Sequence, residues 1–280
     1  MTASQRLHSA ALATAVLMMT LALTSCAPSP AENPGSDAAN SAAPAERLTV
    51  TVSRTLPHDT SSFTQGLEIS DGTLIESTGR NGSSHIRVSD LDTGKELRQV
   101  DLSDDYFGEG TTVAGDLLWQ ITWRDGVAFA RDPQTLAEQR RVSYDGEGWG
   151  ICDTTDSGLV MSDGSSTLTF RDPVTFEETS TTDVTLDGEP LENLNELECA
   201  DDGSLYANVW QTFDIARIDP KTGTVTALID AEPLWDSMSA GERSGADVLN
   251  GIAQIPGTDH FLVTGKLWPT MYEVEFTAPK

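Results

Sequence analysis

Basic residues are scarce in this chain: 17 Lys and Arg stand against 44 Asp and Glu, a net charge of −27. A nucleic-acid partner needs a basic footprint, so that class is excluded, as is electrostatic docking on anionic headgroups. The acids are spread along the chain rather than gathered in a tail, the pattern of a solvated surface; an acidic recognition surface is the alternative. Cysteine and histidine are nearly absent, at three and four residues. His8, His58, His85 and His260 are scattered, with no Cys/His cluster at zinc spacing. No Asp-x-Asp-x-Asp-Gly calcium loop occurs, Asp201-Asp202-Gly203 being more simply a hairpin turn. No metal site is therefore expected. Helical patterns are missing too; the best candidate, Glu232 to Arg243, looks like a loop insertion, which leaves strands to build the fold.

The one long apolar run, Ala11 through Leu23, follows Arg6 and is too short to span a bilayer comfortably as a mature helix, so residues 1–25 read as a secretory signal peptide. The run ends Leu23-Thr24-Ser25-Cys26, which resembles the bacterial lipobox, where small residues precede a cysteine whose thiol takes diacylglycerol. Lipidation of Cys26 is expected, giving an exported cell-membrane lipoprotein that faces the extracytoplasmic side and meets the membrane only through that anchor. Cleavage near Ala27 with Cys26 an idle thiol is the alternative. Residues 26–47, rich in Ala, Ser and Pro, read as the lipidated cysteine and a flexible tether. The folded domain is assigned to residues 48–280, long enough to bury a full core.

From Leu48 onward the pattern alternates, as in Leu48-Thr49-Val50-Thr51-Val52 and Thr224-Val225-Thr226-Ala227-Leu228. Turn clusters such as Ser70-Asp71-Gly72 and Ala114-Gly115-Asp116 separate the runs and supply the positive φ of tight hairpins. Two repeats run in phase. A small polar motif recurs at Gly66, Gly110, Gly148, Leu197 and Gly251, in steps of 44, 38, 49 and 54. A second motif at Asp90, Asp132, Asp172 and Asp219, in steps of 42, 40 and 47, joins two strand runs each time; in three of its copies Pro follows the Asp, as befits a hairpin. A loose period in the forties with about four strands per unit is the signature of a propeller blade. The fifth unit ends at Tyr272–Phe276 without its own hairpin, and Leu48–Ser53 is available to complete it and close the ring. The expectation is an all-β, five-bladed β-propeller; a β-sandwich explains the phased repeats poorly.

In such a fold the recurring motifs converge at one end of the channel. They bring together Phe63, Gln65, Phe107, Glu109, Trp123, Trp149, Asn195, Trp210 and Lys266, an aromatic pocket with few polar handles, as small-ligand sites tend to be. Trp and Phe are as readily core residues. Glu147, Glu196 and Glu198 are read as acceptors of backbone N–H groups. Glu109, between two glycines and among aromatics, is read as a carboxyl of raised pKa suited to proton transfer. Cys152 and Cys199 fall at matching positions of neighbouring units; export supplies an oxidising compartment, and the expectation is a disulfide between them, with two buried free thiols as the alternative.

Taken in order, Pro57-His58-Asp59, Phe63-Thr64-Gln65-Gly66-Leu67, Glu76-Ser77-Thr78-Gly79, Phe107-Gly108-Glu109-Gly110, Leu118–Trp123, Gly146–Gly150, Asn195-Glu196-Leu197-Glu198, Tyr206–Trp210, Val248–Ala253 and Thr264–Pro269 resemble the plant-type glutaminyl-peptide cyclotransferases, also found in bacteria. The resemblance runs from about Leu48 to Phe276. It implies a five-bladed propeller and conversion of the N-terminal glutamine of peptides or proteins to pyroglutamate, with release of ammonia. It implies Glu109 as the catalytic acid and base, Phe63, Phe107, Trp123, Trp149 and Trp210 as pocket walls, and Gln65, Asn195 and Lys266 as polar groups; Lys266, Asn195 or Gln65 would stabilise the oxyanion. No cofactor is needed and a monomer is expected. The chain departs from the family at Arg80-Asn81, where an apolar and an aromatic residue are commoner. The rival readings are a non-catalytic propeller lipoprotein binding peptide N-termini or another small ligand, and a metal-dependent propeller hydrolase, for which the motifs lack ligands.

Overall fold

The asparto-threonine turns show how locally this chain is programmed. Asp132 Oδ1 accepts the backbone N–H of Gln134 at 3.0 Å and of Thr135 at 2.8 Å, and the Thr135 hydroxyl at 2.9 Å. Asp90, Asp172 and Asp219 repeat parts of this pattern, so each short loop satisfies its own donors. The fourth residue beyond each Asp lies in the left-handed region, with φ of 66° at Gly94, 62° at Leu136, 68° at Phe176 and 68° at Gly223. Two units therefore hold a bulky residue where glycine is the easy choice, a strain of about 1–3 kcal/mol. Leu136 and Phe176 are both buried, which stabilises by a similar ~1.5–3 kcal/mol each.

The computed structural model describes residues 43–154 and 156–280; the segment expected to be a signal peptide, Cys26 and most of the expected tether lie outside the described residues. The chain runs β1 (Glu46–Pro57), β2 (Thr64–Ser70), β3 (Thr73–Thr78), β4 (His85–Asp90), β5 (Glu96–Asp101), β6 (Gly108–Ala114), β7 (Leu117–Thr122), β8 (Val127–Arg131), β9 (Glu138–Ser143), β10 (Ile151–Thr154), β11 (Gly158–Met161), β12 (Thr167–Arg171) and β13 (Glu178–Asp183). A small hairpin follows, β14 (Thr185–Leu186) with β15 (Glu189–Pro190), and then β16 (Leu194–Cys199), β17 (Leu205–Val209), β18 (Asp214–Asp219) and β19 (Thr224–Asp230). Two short helices, α1 (Glu232–Ser237) and α2 (Ala240–Arg243), precede β20 (Leu249–Gln254), β21 (His260–Gly265) and β22 (Thr270–Thr277). The insertion expected at Glu232–Arg243 is helical but broken after Ser237, because Ser239 starts α2 with a reciprocal capping box to Glu242.

The fold is all-β. Strands β2 to β5, β6 to β9 and β10 to β13 form three antiparallel four-stranded sheets, and β16 to β19 pair in the same order. Strand β1 lies antiparallel to β22, with Leu56 opposite Met271, and so adds a fourth strand to β20–β22. It also pairs parallel with β19, Leu48 facing Ile229, which joins the last two groups into one ten-stranded sheet. The first strands of the groups pack side by side, β2 on β6, β6 on β10, β10 on β16, β16 on β20 and β20 on β2, a nearly closed, barrel-like arrangement. The apolar core sits between neighbouring sheets; Leu136 of the second, for example, packs with Ile75, Ile86 and Val88 of the first. Cys152 of β10 and Cys199 of β16 are joined by a disulfide, their Cα atoms 5.5 Å apart.

Two boundaries differ from the sequence expectation. The domain begins before Leu48: Ala45 is buried, its N–H donates to Asp187 Oδ1 at 2.9 Å, and β1 starts at Glu46. The axial glycine of the third unit is Gly150, not Gly148. A Cβ on Gly66 would meet Thr111 N at 2.6 Å, one on Gly110 would meet Ile151 N at 2.7 Å, and one on Gly150 would meet Leu197 N at 2.8 Å. The first strands of the first three groups thus each touch the next through a glycine. Gly148 instead packs against Thr122 and Tyr144.

Candidate active site

Those axial glycines place the residue before each of them at the same level of the fold: Gln65, Glu109 and Trp149, with Asn195 and Asn250 at the corresponding positions before Glu196 and Gly251. The first four line a cavity of about 330 Å³ with Phe63, Arg80, Phe107, Trp123, Trp210, Asp247, Val248 and Lys266. All nine residues singled out from the sequence meet there. Asn250 stands behind them.

The walls are a chain of aromatic contacts. Phe63 meets Phe107 edge-on at 6.2 Å between centroids, Phe107 meets Trp123 at 5.5 Å, and Trp149 meets Trp210 edge-on at 5.4 Å. Glu147 joins the two runs: its Oε2 accepts the indole N–H of Trp123 at 2.8 Å and of Trp149 at 3.0 Å, while Oε1 takes Arg124 at 2.7 Å. The expectation that Glu147 would accept backbone N–H groups is corrected here, because its loop directs the carboxylate at side chains. Glu196 and Glu198 do take backbone donors, Glu196 from Leu67 and Ile252 and Glu198 from Gln254. Glycines seat the walls as well: a Cβ on Gly164 would lie 2.6 Å from the Trp149 ring, and one on Gly79 would strike Phe107.

The polar end is built around Glu109, only 4% exposed. Asn250 Nδ2 donates to Gln65 Oε1 at 3.2 Å and to the Thr64 carbonyl at 3.0 Å, which turns the Gln65 amide so that its Nε2 donates to Glu109 Oε1 at 3.0 Å. Glu109 Oε2 is buried with no hydrogen-bond partner among the described residues, as is Asn195 Oδ1. Lys266, 4% exposed, sits with Nζ 4.9 Å from the Phe63 centroid. Burial pushes the Glu109 carboxyl well above its ordinary range; Lys266 pulls it back and Glu147 adds to the rise. Burial likewise lowers the Lys266 ammonium, partly opposed by Glu109 and Asp247. Buried polar groups are normally satisfied, so a carboxylate oxygen and an amide oxygen left free on one cavity wall mark where ligand groups bind.

A family model described as glutamine cyclotransferase matches residues 17–276. The chain belongs to the glutamine cyclotransferase family. It is 39% identical over 221 residues to the glutaminyl-peptide cyclotransferase of Arabidopsis thaliana, spanning 78% of this chain and 68% of that protein. The crystal structure of Myxococcus xanthus glutaminyl cyclase matches with a TM-score of 0.76 at 38% identity, over 84% of this chain and 100% of that one.

Asn250, Asp247 and Val248 were not foreseen as site residues. Asn250 had a signal: it precedes a glycine in the fifth motif as Gln65 and Glu109 do in the first two. Asp247 and Val248 had none, since they reach the cavity from the loop after α2.

Proposed function

We propose that this protein converts the N-terminal glutamine of peptides or proteins to pyroglutamate and releases ammonia. The observation that carries the reading is Glu109: a buried carboxyl with one oxygen fixed by Gln65 and the other free, beside a buried ammonium, inside an aromatic box, in a chain of this family.

The aromatic walls hold the glutamine side chain folded back on its own amine, so that the nucleophile is intramolecular and most of the entropic barrier is removed on binding. The α-amine nitrogen attacks the γ-amide carbon and gives a proton to Glu109 Oε2. The tetrahedral intermediate collapses as the C–N bond breaks, and Glu109 returns that proton to the departing nitrogen, which leaves as ammonia. A carboxyl raised by burial suits both transfers near neutral pH. Negative charge collects on the amide oxygen. Gln65 is committed to Glu109, so the oxyanion is assigned to Lys266 and Asn195, neither of whose side chains makes a hydrogen bond among the described residues.

The four-stranded groups, with β1 completing β20–β22, support a five-bladed propeller closed by the N-terminal strand, serving as the catalytic domain from Ala45 onward. The lipobox-like Leu23–Cys26 supports an exported monomer tethered through Cys26 by residues 27–44, after loss of residues 1–25.

Ammonia release from a short peptide beginning with glutamine, with the ring-closed product identified by mass spectrometry, tests the activity. Glu109→Gln is expected to abolish it. No release above the uncatalysed rate from folded protein would overturn the reading.

A further inference from the structure

Two residues after β3 the chain places Arg80, and the structure gives that side chain a position. Arg80 lines the mouth of the cavity and is exposed, its guanidinium carbon 4.2 Å from the centroid of Phe63. Its backbone is left-handed, with φ of 82°, a conformation that disfavours a long side chain by about 1–2 kcal/mol where one residue adopts it. The turn holds it there through its carbonyl, which accepts Ser83 N–H at 3.0 Å and Ser84 Oγ–H at 2.9 Å. Strain of this kind is kept where a side chain must point in a set direction.

Lys266 faces Glu109 and Asp247. Glu147 is paired with Arg124 at 2.7 Å. Arg80 makes no ion pair among the described residues, in a chain where acids outnumber bases 44 to 17. An unpaired guanidinium at a pocket mouth, flattened against an aromatic ring, presents its N–H edge to an incoming carboxylate. With glutamine in the aromatic box, the next part of the substrate to pass Arg80 is the residue that follows it.

We propose that Arg80 selects substrates bearing a carboxylate on the residue after the N-terminal glutamine. That carboxylate is either an Asp or Glu side chain or the free C-terminus of a dipeptide. This inference rests on the cyclotransferase reading of the cavity and adds a substrate preference to it.

The test compares C-terminally amidated Gln-Glu, Gln-Ala and Gln-Lys with free-acid Gln-Ala, on the wild type and on Arg80→Gln and Arg80→Glu. A single ion pair at a solvated rim is worth about two- to fivefold. The Gln-Glu amide to Gln-Ala amide ratio of kcat/KM is expected to fall by that factor in Arg80→Gln and further in Arg80→Glu, where the Gln-Lys amide becomes the better substrate. Taking ratios cancels the long-range field of the acidic protein, which both enzymes share. A parallel fall for free-acid Gln-Ala assigns the effect to the terminal carboxylate as well; a fall for the Gln-Glu amide alone assigns it to the side chain. Raising the salt should shrink the difference. Binding is measured in parallel by quenching of indole fluorescence in Glu109→Gln, with and without Arg80→Gln. If no peptide releases ammonia, the activity reading fails, yet the binding ratios still decide the role of Arg80. Ratios unchanged by either Arg80 substitution, in turnover or in binding, would overturn the proposal.

Discussion

Replacing Gln65 with Met removes the whole amide, the N–H that reaches Glu109 and the oxygen that accepts from Asn250, at almost no change of volume, and it tests the means by which Glu109 is tuned. In the native protein Gln65 Nε2 donates to Glu109 Oε1 at 3.0 Å. A bond to the ionised carboxylate is worth about 1.5–3 kcal/mol and one to the neutral acid about 0.5–1.5, so the difference, near 1.4 kcal/mol, favours ionisation by about one pKa unit. Removing the donor therefore raises a carboxyl that burial has already pushed up. The acid limb of the kcat/KM profile is expected to move about one unit toward alkaline pH in Gln65→Met, with rates below the limb falling about tenfold and the plateau changing far less. The substrate amine also titrates, but the same peptide in both enzymes makes that limb common to them. Asn250→Ala should shift the limb the same way by a smaller step. It leaves Gln65 in place but frees its amide to turn an oxygen toward Glu109. The assay is ammonia release at subsaturating peptide from pH 5 to 9. Should Gln65→Met lower the rate evenly at every pH, the limb unmoved, Gln65 would be acting by shape alone and the electrostatic account would fail.

Three further outcomes follow from the same contacts. Reducing Cys152–Cys199, or replacing both with Ser, opens a loop of 47 residues, which should destabilise by about 4 kcal/mol and lower Tm by roughly 10 °C in calorimetry; an unchanged Tm would show the bond to be incidental. Gly79→Ala should push the Phe107 ring into the pocket and cut kcat/KM by about 10² with a much smaller loss of Tm, the reverse ranking arguing for a purely structural glycine. Burial opposes ionisation of both Glu76 and His58, yet their pairing at 2.9 Å prevails, lowering Glu76 and raising His58. The Glu76 contribution is complete above its unfolded value of about 4.3 and lost as pH falls through the folded one; that of His58 is complete below about 6.5 and lost as pH rises through the folded one. Tm should thus decline below about pH 4.5 and above about pH 6.5; the buried carboxyls Glu109, Glu196 and Glu198, held high by burial, add to the alkaline decline, and Glu76→Gln should make it shallower, an equal decline in the variant removing His58 as a contributor.

The strands were legible because their programme is local. Alternation set the faces, and each Asp carried its own turn, so Asp132 with Thr135 or Asp172 with Thr175 closes a hairpin without tertiary help. The pocket aromatics were legible because Phe63, Phe107 and Trp149 lie in the recurring glycine motifs and Trp123 and Trp210 end strand-like runs. What failed was register at the axis. Gly148 and Gly150 flank the same tryptophan, and only the approach of Gly150 to Leu197 decides which lies against the next first strand; no rule of composition separates two glycines two residues apart. That slip, with a second at Leu197, where Glu196 is the equivalent position, hid the correspondence of Trp149 and Asn195 with Gln65, Glu109 and Asn250. It also hid the meaning of Glu196, the one axial position that is not glycine. Its carboxylate reaches Leu67 N at 3.1 Å and Ile252 N at 2.8 Å, whereas a Cβ on Gly66, Gly110 or Gly150 would strike the backbone of the next strand. Four small residues and one long one at equivalent positions are thus a single device: the glycines let the first strands close on each other, and Glu196 satisfies donors that no strand partner reaches. Above that close-packed floor Glu109 is held with one oxygen fixed by Gln65 and the other without a partner among the described residues, the arrangement on which the proposed proton transfer depends.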